Sequence, residues 1–373
     1  MPAACAPPVG RAAWRARAPA RARRGPSIVA SASADRPRAA VVGAGVIGLT
    51  IASRLLDADF RVTVYDADES DAAKVSHGAG GFWFPYLVEP MDRASAWASA
   101  AYRQFLRDVD ADDPLVRLRS VFLYDDRDPS RPPPVPEWAP PDLRDLRPEE
   151  LPAIPGVHPG PTGGWHFAAP VVEMPRYMAR LRADAVARGA DFRSERLDEL
   201  ARASPPDAPA DVVVNCAGLG NAARHRRLAR DSNLVPIRGQ IVRATAPRVT
   251  SVYLAELGEW SCYAIPRGDC VVFGGTHDEG EWDEAPDEEV AREIMRRVEA
   301  MLPDGAMEGA AVTGHWCGLR PGRLGGCRLE AERPLAGPPV VHCYGHGGAG
   351  VTCSWGCADE VVALAKRAVG GVG

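Results

Sequence analysis

The chain has 373 residues, too many for one small core, and its 46% hydrophobic and 25% charged residues are the balance of a folded globular protein of two domains or one large α/β domain. The net charge of -5 is uneven, because residues 1–34 hold six arginines and no acid, which leaves the remainder at -11. An acidic body argues against a nucleic-acid partner, and no apolar run approaches the roughly 18 residues of a membrane span.

The Arg- and Ala-rich N-terminal stretch, with Ser27, Ser31 and Ser33 and no acid before Asp35, reads as a transit peptide over residues 1–34. Plastid and mitochondrial addresses share that bias, so either organelle is open; a disordered tail of biased composition is the bland alternative. The terminal Gly371-Val372-Gly373 is not the simple peroxisomal tripeptide. Residues 38–43 read as a buried strand, Val46 to Leu56 as a helix and Arg61 to Asp66 as a second strand, an opening βαβ unit. Helix is expected over 92–109, a proline-rich loop over 129–141 and helix again over 174–189. A turn-rich linker at Pro205 to Pro209 leads to a strand at Asp211–Asn215. Short segments at 240–244, 251–256, 263–265 and 270–273, parted by Gly, Pro and Arg, read as an antiparallel sheet. A helix at 286–301, strands near 311–317 and 339–344, and a closing helix near 350–368 complete the pattern. The expected fold is α/β: a Rossmann-like dinucleotide domain (35–92, 150–228 and 308–373) plus an antiparallel-sheet substrate domain (93–149 and 229–307).

The strongest local signal is Gly43-Ala44-Gly45-Val46-Ile47-Gly48 between a strand and a helix. Gly43 permits the tight turn, Gly45 lets backbone approach a pyrophosphate, and Gly48 lets helix pack on strand. Asp66, 23 residues after Gly43, stands where a ribose-binding acid belongs. A second glycine-bearing strand end, Asn215-Cys216-Ala217-Gly218, suits a long FAD lying along the fold. The nine cysteines lack paired metal-ligand spacing; Cys353 and Cys357 fall on one helix face, and no metal is assigned.

These segments, with Ala79-Gly80-Gly81-Phe82-Trp83-Phe84-Pro85-Tyr86, Arg238-Gly239-Gln240-Ile241, Tyr263-Ala264-Ile265-Pro266 and Gly318-Leu319-Arg320-Pro321, come in an order that resembles the D-amino-acid oxidase and D-aspartate oxidase family of FAD-dependent amine oxidases. The most specific piece is Tyr344-Gly345-His346-Gly347-Gly348-Ala349-Gly350-Val351-Thr352, followed by Trp355-Gly356-Cys357-Ala358. The resemblance runs from about residue 38 to 365 and implies FAD as cofactor, with a D-amino acid and dioxygen as small-molecule partners. It places Arg320 as the two-point anchor of the substrate carboxylate, Tyr263 as a second donor to it and the Gly348 carbonyl as acceptor for the amine. Ala79, Gly80, Gly81 and the segment Gly345 to Thr352 join the glycine loops as cofactor contacts. On residue type alone, Arg320 would be an internal ion pair and Tyr263 a sheet-edge aromatic. His346 is discounted as a base, because hydride transfer from Cα to flavin N5 needs no protein base; no residue is assigned acid–base work.

Two departures bear on side-chain preference. Glu259 stands where mammalian members carry a lid tyrosine, and Ala349 where many relatives carry an aromatic, which would open the pocket. An acidic substrate would need a further cation, for which Arg267 is the candidate. The alternatives are an oxidase of glycine, sarcosine or another secondary amine, a flavin dehydrogenase with a non-oxygen acceptor, and a flavoprotein scaffold without catalysis. A homodimer is left open.

Overall fold

In the computed structural model residues 36–370 are described, apart from 68–73, 129, 131–134 and 223–227. The expected transit segment therefore lies outside the described residues, as does part of the proline-rich loop. The first half forms β1 (Arg38–Val42), α1 (Val46–Asp57), β2 (Arg61–Asp66), the short α2 (Val75–Gly78), α3 (Met91–Asp110), β3 (Val116–Asp125) and β4 (Arg144–Asp145). β5 (Gly163–Val172), α4 (Met174–Ala187), β6 (Asp191–Ser194) and β7 (Val212–Asn215) follow. The second half begins with β8 (Leu234–Thr245), β9 (Val252–Leu257), β10 (Trp260–Pro266), β11 (Val271–Gly274) and β12 (Asp278–Glu279). It ends with α5 (Glu288–Met301), β13 (Ala311–Arg323), β14 (Arg328–Glu332), β15 (Val340–Tyr344) and α6 (Gly350–Val369).

Six strands form one sheet in the order β14-β15-β7-β1-β2-β6, all parallel except β14. Its central strand shows why the run Arg38–Val42 is apolar throughout. Ala39 and Val41 face a core shared with α1, α3, α4 and α6, while Ala40 and Val42 face a second cluster with Tyr65, Val213 and Val340. Successive strand residues point to opposite faces, and both faces here are covered. The C-terminal ends of β1 and β7 lie side by side, the place where open α/β sheets bind ligands.

The other sheet has nine strands in the order β12-β8-β11-β10-β9-β3-β5-β4, with β13 along the far side of β8. One face packs into the core shared with the first sheet. The other, through Val242, Ala244, Ala255, Ala264 and Phe273, is covered by α5. Asp287 caps α5 by accepting from the Glu289 N–H at 2.7 Å and the Val290 N–H at 3.2 Å. Among the described residues no helix is long and apolar enough to cross a membrane.

The sequence blocks do not follow the sheets. β5 and β13, inside the segments assigned to the cofactor domain, belong to the nine-stranded sheet, and α3, assigned to the substrate domain, packs on α6. β3 and β5 had no strand signature to read. β3 interleaves Arg117 and Arg119 with its apolar residues, and β5 begins with two glycines and contains Pro170. That proline is tolerated because β4 pairs β5 only at Trp165 and His166, and the segment beside Pro170 uses only its carbonyl, which accepts from the Trp83 N–H at 2.9 Å.

Candidate active site

The glycine loop after β1 is fixed by sterics. Gly43 has φ 111°, and a Cβ there would meet the Cys216 carbonyl oxygen at 2.6 Å, so the loop closes on the end of β7 only as glycine. A Cβ on Gly48 would run into the Gly43 carbonyl. The first turn of α1 carries no acid, and the Val46 N–H donates to Ser76 Oγ at 3.1 Å. An uncompensated helix N-terminus offers positive dipole to an anion. At the end of β2, Asp66 Oδ2 accepts from Lys74 Nζ and Arg182 Nη1, both at 2.8 Å, whereas Oδ1 has no partner among the described residues.

These groups border a cavity of about 610 Å³. It is lined by Gly43 to Ile47, Asp66, Ala79 to Gly81, Ala217, Gly218, Gly345 to Gly348, Gly350 and Val351, and by Tyr263 and Arg320 from the nine-stranded sheet. Gly48 and Thr352 are not on its surface. Gly48 packs α1 against the loop, and Thr352 Oγ1 ties α6 to the segment ahead of Tyr86, accepting from the Phe84 N–H at 3.1 Å and donating to the Phe84 carbonyl at 2.9 Å. Ala349 is also off the wall and buried in the core, so its small side chain does not open the cavity.

Arg320 projects from β13, and its Nη1 donates to the Thr276 carbonyl at 2.9 Å. Among the described residues no carboxylate pairs with it, so it is not the internal ion pair that residue type alone would favour. Its guanidinium lies over Gly239 of β8, where any Cβ would overlap both Nη atoms. Tyr263 on β10 uses the same device, its ring filling the space that side chains on Gly274 and Gly275 would need. Tyr86, packed against Gly348, is close enough to feel the charge of Arg320. Burial pushes its phenol up to about 12, against the pull of Arg320, so it stays protonated as a donor through the neutral range. Its hydroxyl has no protein partner among the described residues. Sequence reasoning gave Tyr86 and Gly239 no role, although both lie in the quoted motifs, and it missed Lys74, Ser76 and Glu256 on the cavity wall.

Arg267 does not supply a pocket cation. It is 2% exposed, forms a two-point pair with Asp269 at 2.7 and 2.6 Å, and donates to the His77 and Ala79 carbonyls. Glu259 is exposed in the tight β9–β10 turn. His346 is buried, with Cys357 Sγ at 3.5 Å and Cys343 Sγ at 3.8 Å from Nε2. Burial opposes charge on both, yet Cys327 and then Cys343 raise the imidazole, while hydrogen bonding to Cys357 and then to His346 brings the Cys343 thiol down to about 6. This trio, whose ligand atoms lie within 4.8 Å of one another, has the composition of a metal cluster that cysteine spacing alone did not reveal. The thiols hold His346 by Nε2, although the residue also borders the cavity.

A family model described as FAD dependent oxidoreductase matches residues 38–364. The chain belongs to that family. It is 42% identical over 339 residues to a D-amino-acid oxidase of Rubrobacter xylanophilus, covering 89% of this chain and 97% of the relative. It is 32% identical over 348 residues to the human D-aspartate oxidase, covering 90% and 96%. Among solved structures, glycine oxidase from Geobacillus kaustophilus superposes with a TM-score of 0.68 at 20% identity, covering 89% of this chain and 95% of the other; that likeness speaks for the fold. The cavity of this family member fits FAD. It joins a phosphate-sized glycine cradle at a helix N-terminus to a free carboxylate oxygen on Asp66 and a second glycine-bearing strand end, in a volume of the right order.

Proposed function

We propose that the protein is a D-amino-acid oxidase that converts D-amino acids to 2-oxo acids, ammonia and hydrogen peroxide. The observation that carries this reading is Arg320: a cation in the cavity wall, cradled by Gly239 and lacking any carboxylate partner among the described residues. A half-buried guanidinium with no acid paired to it fits a carboxylate, and the substrate of the curated relatives supplies one. Bound FAD would supply the redox chemistry, as acceptor of the hydride from the substrate Cα and donor of the electrons to dioxygen. Residues 43–48 and the α1 N-terminus would hold its pyrophosphate, Asp66 Oδ1 a ribose hydroxyl, and the Gly345–Gly348 loop its flavin end.

The remaining work of the chain is positional. Arg320 and the hydroxyls of Tyr263 and Tyr86 hold the carboxylate from three directions, and the Gly348 carbonyl accepts from the amine. A substrate fixed in this way presents one hydrogen of Cα to the cofactor, and correct placement is worth several kcal/mol of barrier. The amine must be neutral when hydride leaves, and with His346 Nε2 committed to cysteines that proton passes to solvent. Residues 1–34 support an organelle address, plastid or mitochondrial, through their six arginines and lack of acid. The test of the activity is product release. FAD-loaded protein should form hydrogen peroxide, ammonia and pyruvate in equal amounts from D-alanine and none from L-alanine; turnover of both isomers, or of glycine and sarcosine alone, would contradict the assignment.

A further inference from the structure

Of the three carboxylates on the cavity wall that the mechanism does not use, Glu195 pairs with Arg202, Glu284 is exposed, and Glu256 stands half-buried beside the carboxylate site. Glu256 lies on β9, and the β9–β10 register pairs it with Ser261 and pairs Leu254 with Tyr263. Opposed residues of an antiparallel pair share a face, and faces alternate along each strand. Leu254, Glu256, Ser261 and Tyr263 therefore stand on one face, and all four line the cavity. The residues between them, Ala255, Cys262 and Ala264, face the core under α5. Glu256 is thus on the same wall as the carboxylate anchor, one pair along from Tyr263.

Nothing among the described residues neutralises it. Glu256 has neither a hydrogen bond nor an ion pair there. Its neighbour across the parallel β3–β9 register is Asp125, another acid. The cation beside Asp125 is Arg127, which is committed to Asp125 at 2.6 and 2.5 Å and to Asp145 at 2.9 Å. The other charged or titratable groups on this part of the cavity are Tyr86, Tyr263, Cys262, the exposed Glu284 and Arg320, and Arg320, the one cation among them, is the group that the substrate carboxylate takes. A half-buried carboxylate without a partner costs stability unless a ligand supplies the opposite charge.

We propose that Glu256 forms the side-chain subsite of the enzyme and selects D-amino acids with a cationic side chain, of the lysine, ornithine or arginine kind. The inference rests on the reading of the cavity as a D-amino-acid site. The α-carboxylate on Arg320 and a side-chain ammonium on Glu256 fix the substrate at two points of opposite charge. An acidic side chain instead meets like charge from Glu256 and Asp125. Burial, reinforced by Asp125, raises the Glu256 carboxyl above the ordinary glutamate range. The preference is therefore lost as pH falls through that raised value and recovered above it.

The test compares kcat/KM for D-lysine, D-norleucine and D-glutamate in the FAD-loaded wild type, Glu256→Gln and Glu256→Lys. The wild type should favour D-lysine over its uncharged analogue D-norleucine, mainly through KM, and Glu256→Gln should lower that ratio roughly 10- to 100-fold, as expected for one charge-assisted contact. Glu256→Lys should move the preference toward D-glutamate. In the wild type, the kcat/KM ratio of D-lysine to D-norleucine should fall on the acid side, the deprotonation of the α-amine common to both substrates cancelling in the ratio. A wild type that prefers D-glutamate to D-lysine, or a ratio unmoved in Glu256→Gln, overturns the proposal, and the first of these needs no folded variant. Turnover of D-norleucine without a D-lysine preference sinks the subsite alone. A flavin-loaded protein that turns over none of the three sinks the parent reading with it.

Discussion

Arg320 has a carbonyl and a glycine for neighbours where an internal arginine would have an acid. A half-buried guanidinium of that kind is completed by a ligand carboxylate, so the cost of removing it is large in binding. Arg320→Met should lower kcat/KM for D-alanine by about 2–5 kcal/mol, roughly 30-fold to several thousand-fold, chiefly through KM. Arg320→Lys should recover part of that loss, because it keeps the charge without the fork. Steady-state kinetics on variants whose flavin spectrum shows retained FAD would measure both; a KM within threefold of wild type in Arg320→Met would remove the residue from the carboxylate site. How far single residues were legible in the sequence depended on context. Arg320 was legible through its motif and not through its type. Arg267 carries the same charge in as suggestive a place, yet Asp269 two residues on and two backbone carbonyls saturate it. Glu256 sits in no motif, and only strand register shows which way it faces.

At the scale of elements, the βαβ opening was readable because its apolar runs and glycines obey one simple geometry. The β15 end was less so. His342 is buried there, its Nδ1 accepting from Asn215 Nδ2 at 3.2 Å and its Nε2–H donating to Glu332 Oε2 at 3.1 Å. Asn215 Nδ2 also donates to Asn221 Oδ1 at 2.7 Å, so this network braces the turn that carries Ala217 and Gly218. Desolvation, with the charge of Arg328, lowers the His342 pKa below its ordinary value near 6.5, against the pull of Glu332. A histidine depressed in the fold binds protons more readily when unfolded, so its stabilising contribution is present above pH ~6.5 and lost as pH falls toward the lowered value. Thermal melts of the FAD-loaded protein should show Tm falling from pH 7 to pH 5, and His342→Gln should flatten that slope. An equal slope in the variant would place the acid sensitivity elsewhere.

At the scale of the molecule, the chain visits its two sheets more often than contiguous blocks suggest. β3, β5 and β13 come from three separated stretches and all join the nine-stranded sheet, while α3 lies in sequence next to β3 and packs on α6. That crossing brings Arg320, Tyr263 and Glu256 of one sheet against the glycine loops of the other around a single cavity. Sequence order alone places the loops; only the folded arrangement places the charges that face them. The same arrangement ties cofactor reduction to the carboxylate anchor. The measurement that bears most directly on it is anaerobic addition of D-alanine and, separately, L-alanine to the FAD-loaded protein, followed by its visible spectrum. Bleaching of the oxidised flavin bands by the D-isomer alone is the predicted result. Bands that persist with both isomers and with D-lysine, or that bleach equally with the L-isomer, would contradict the account.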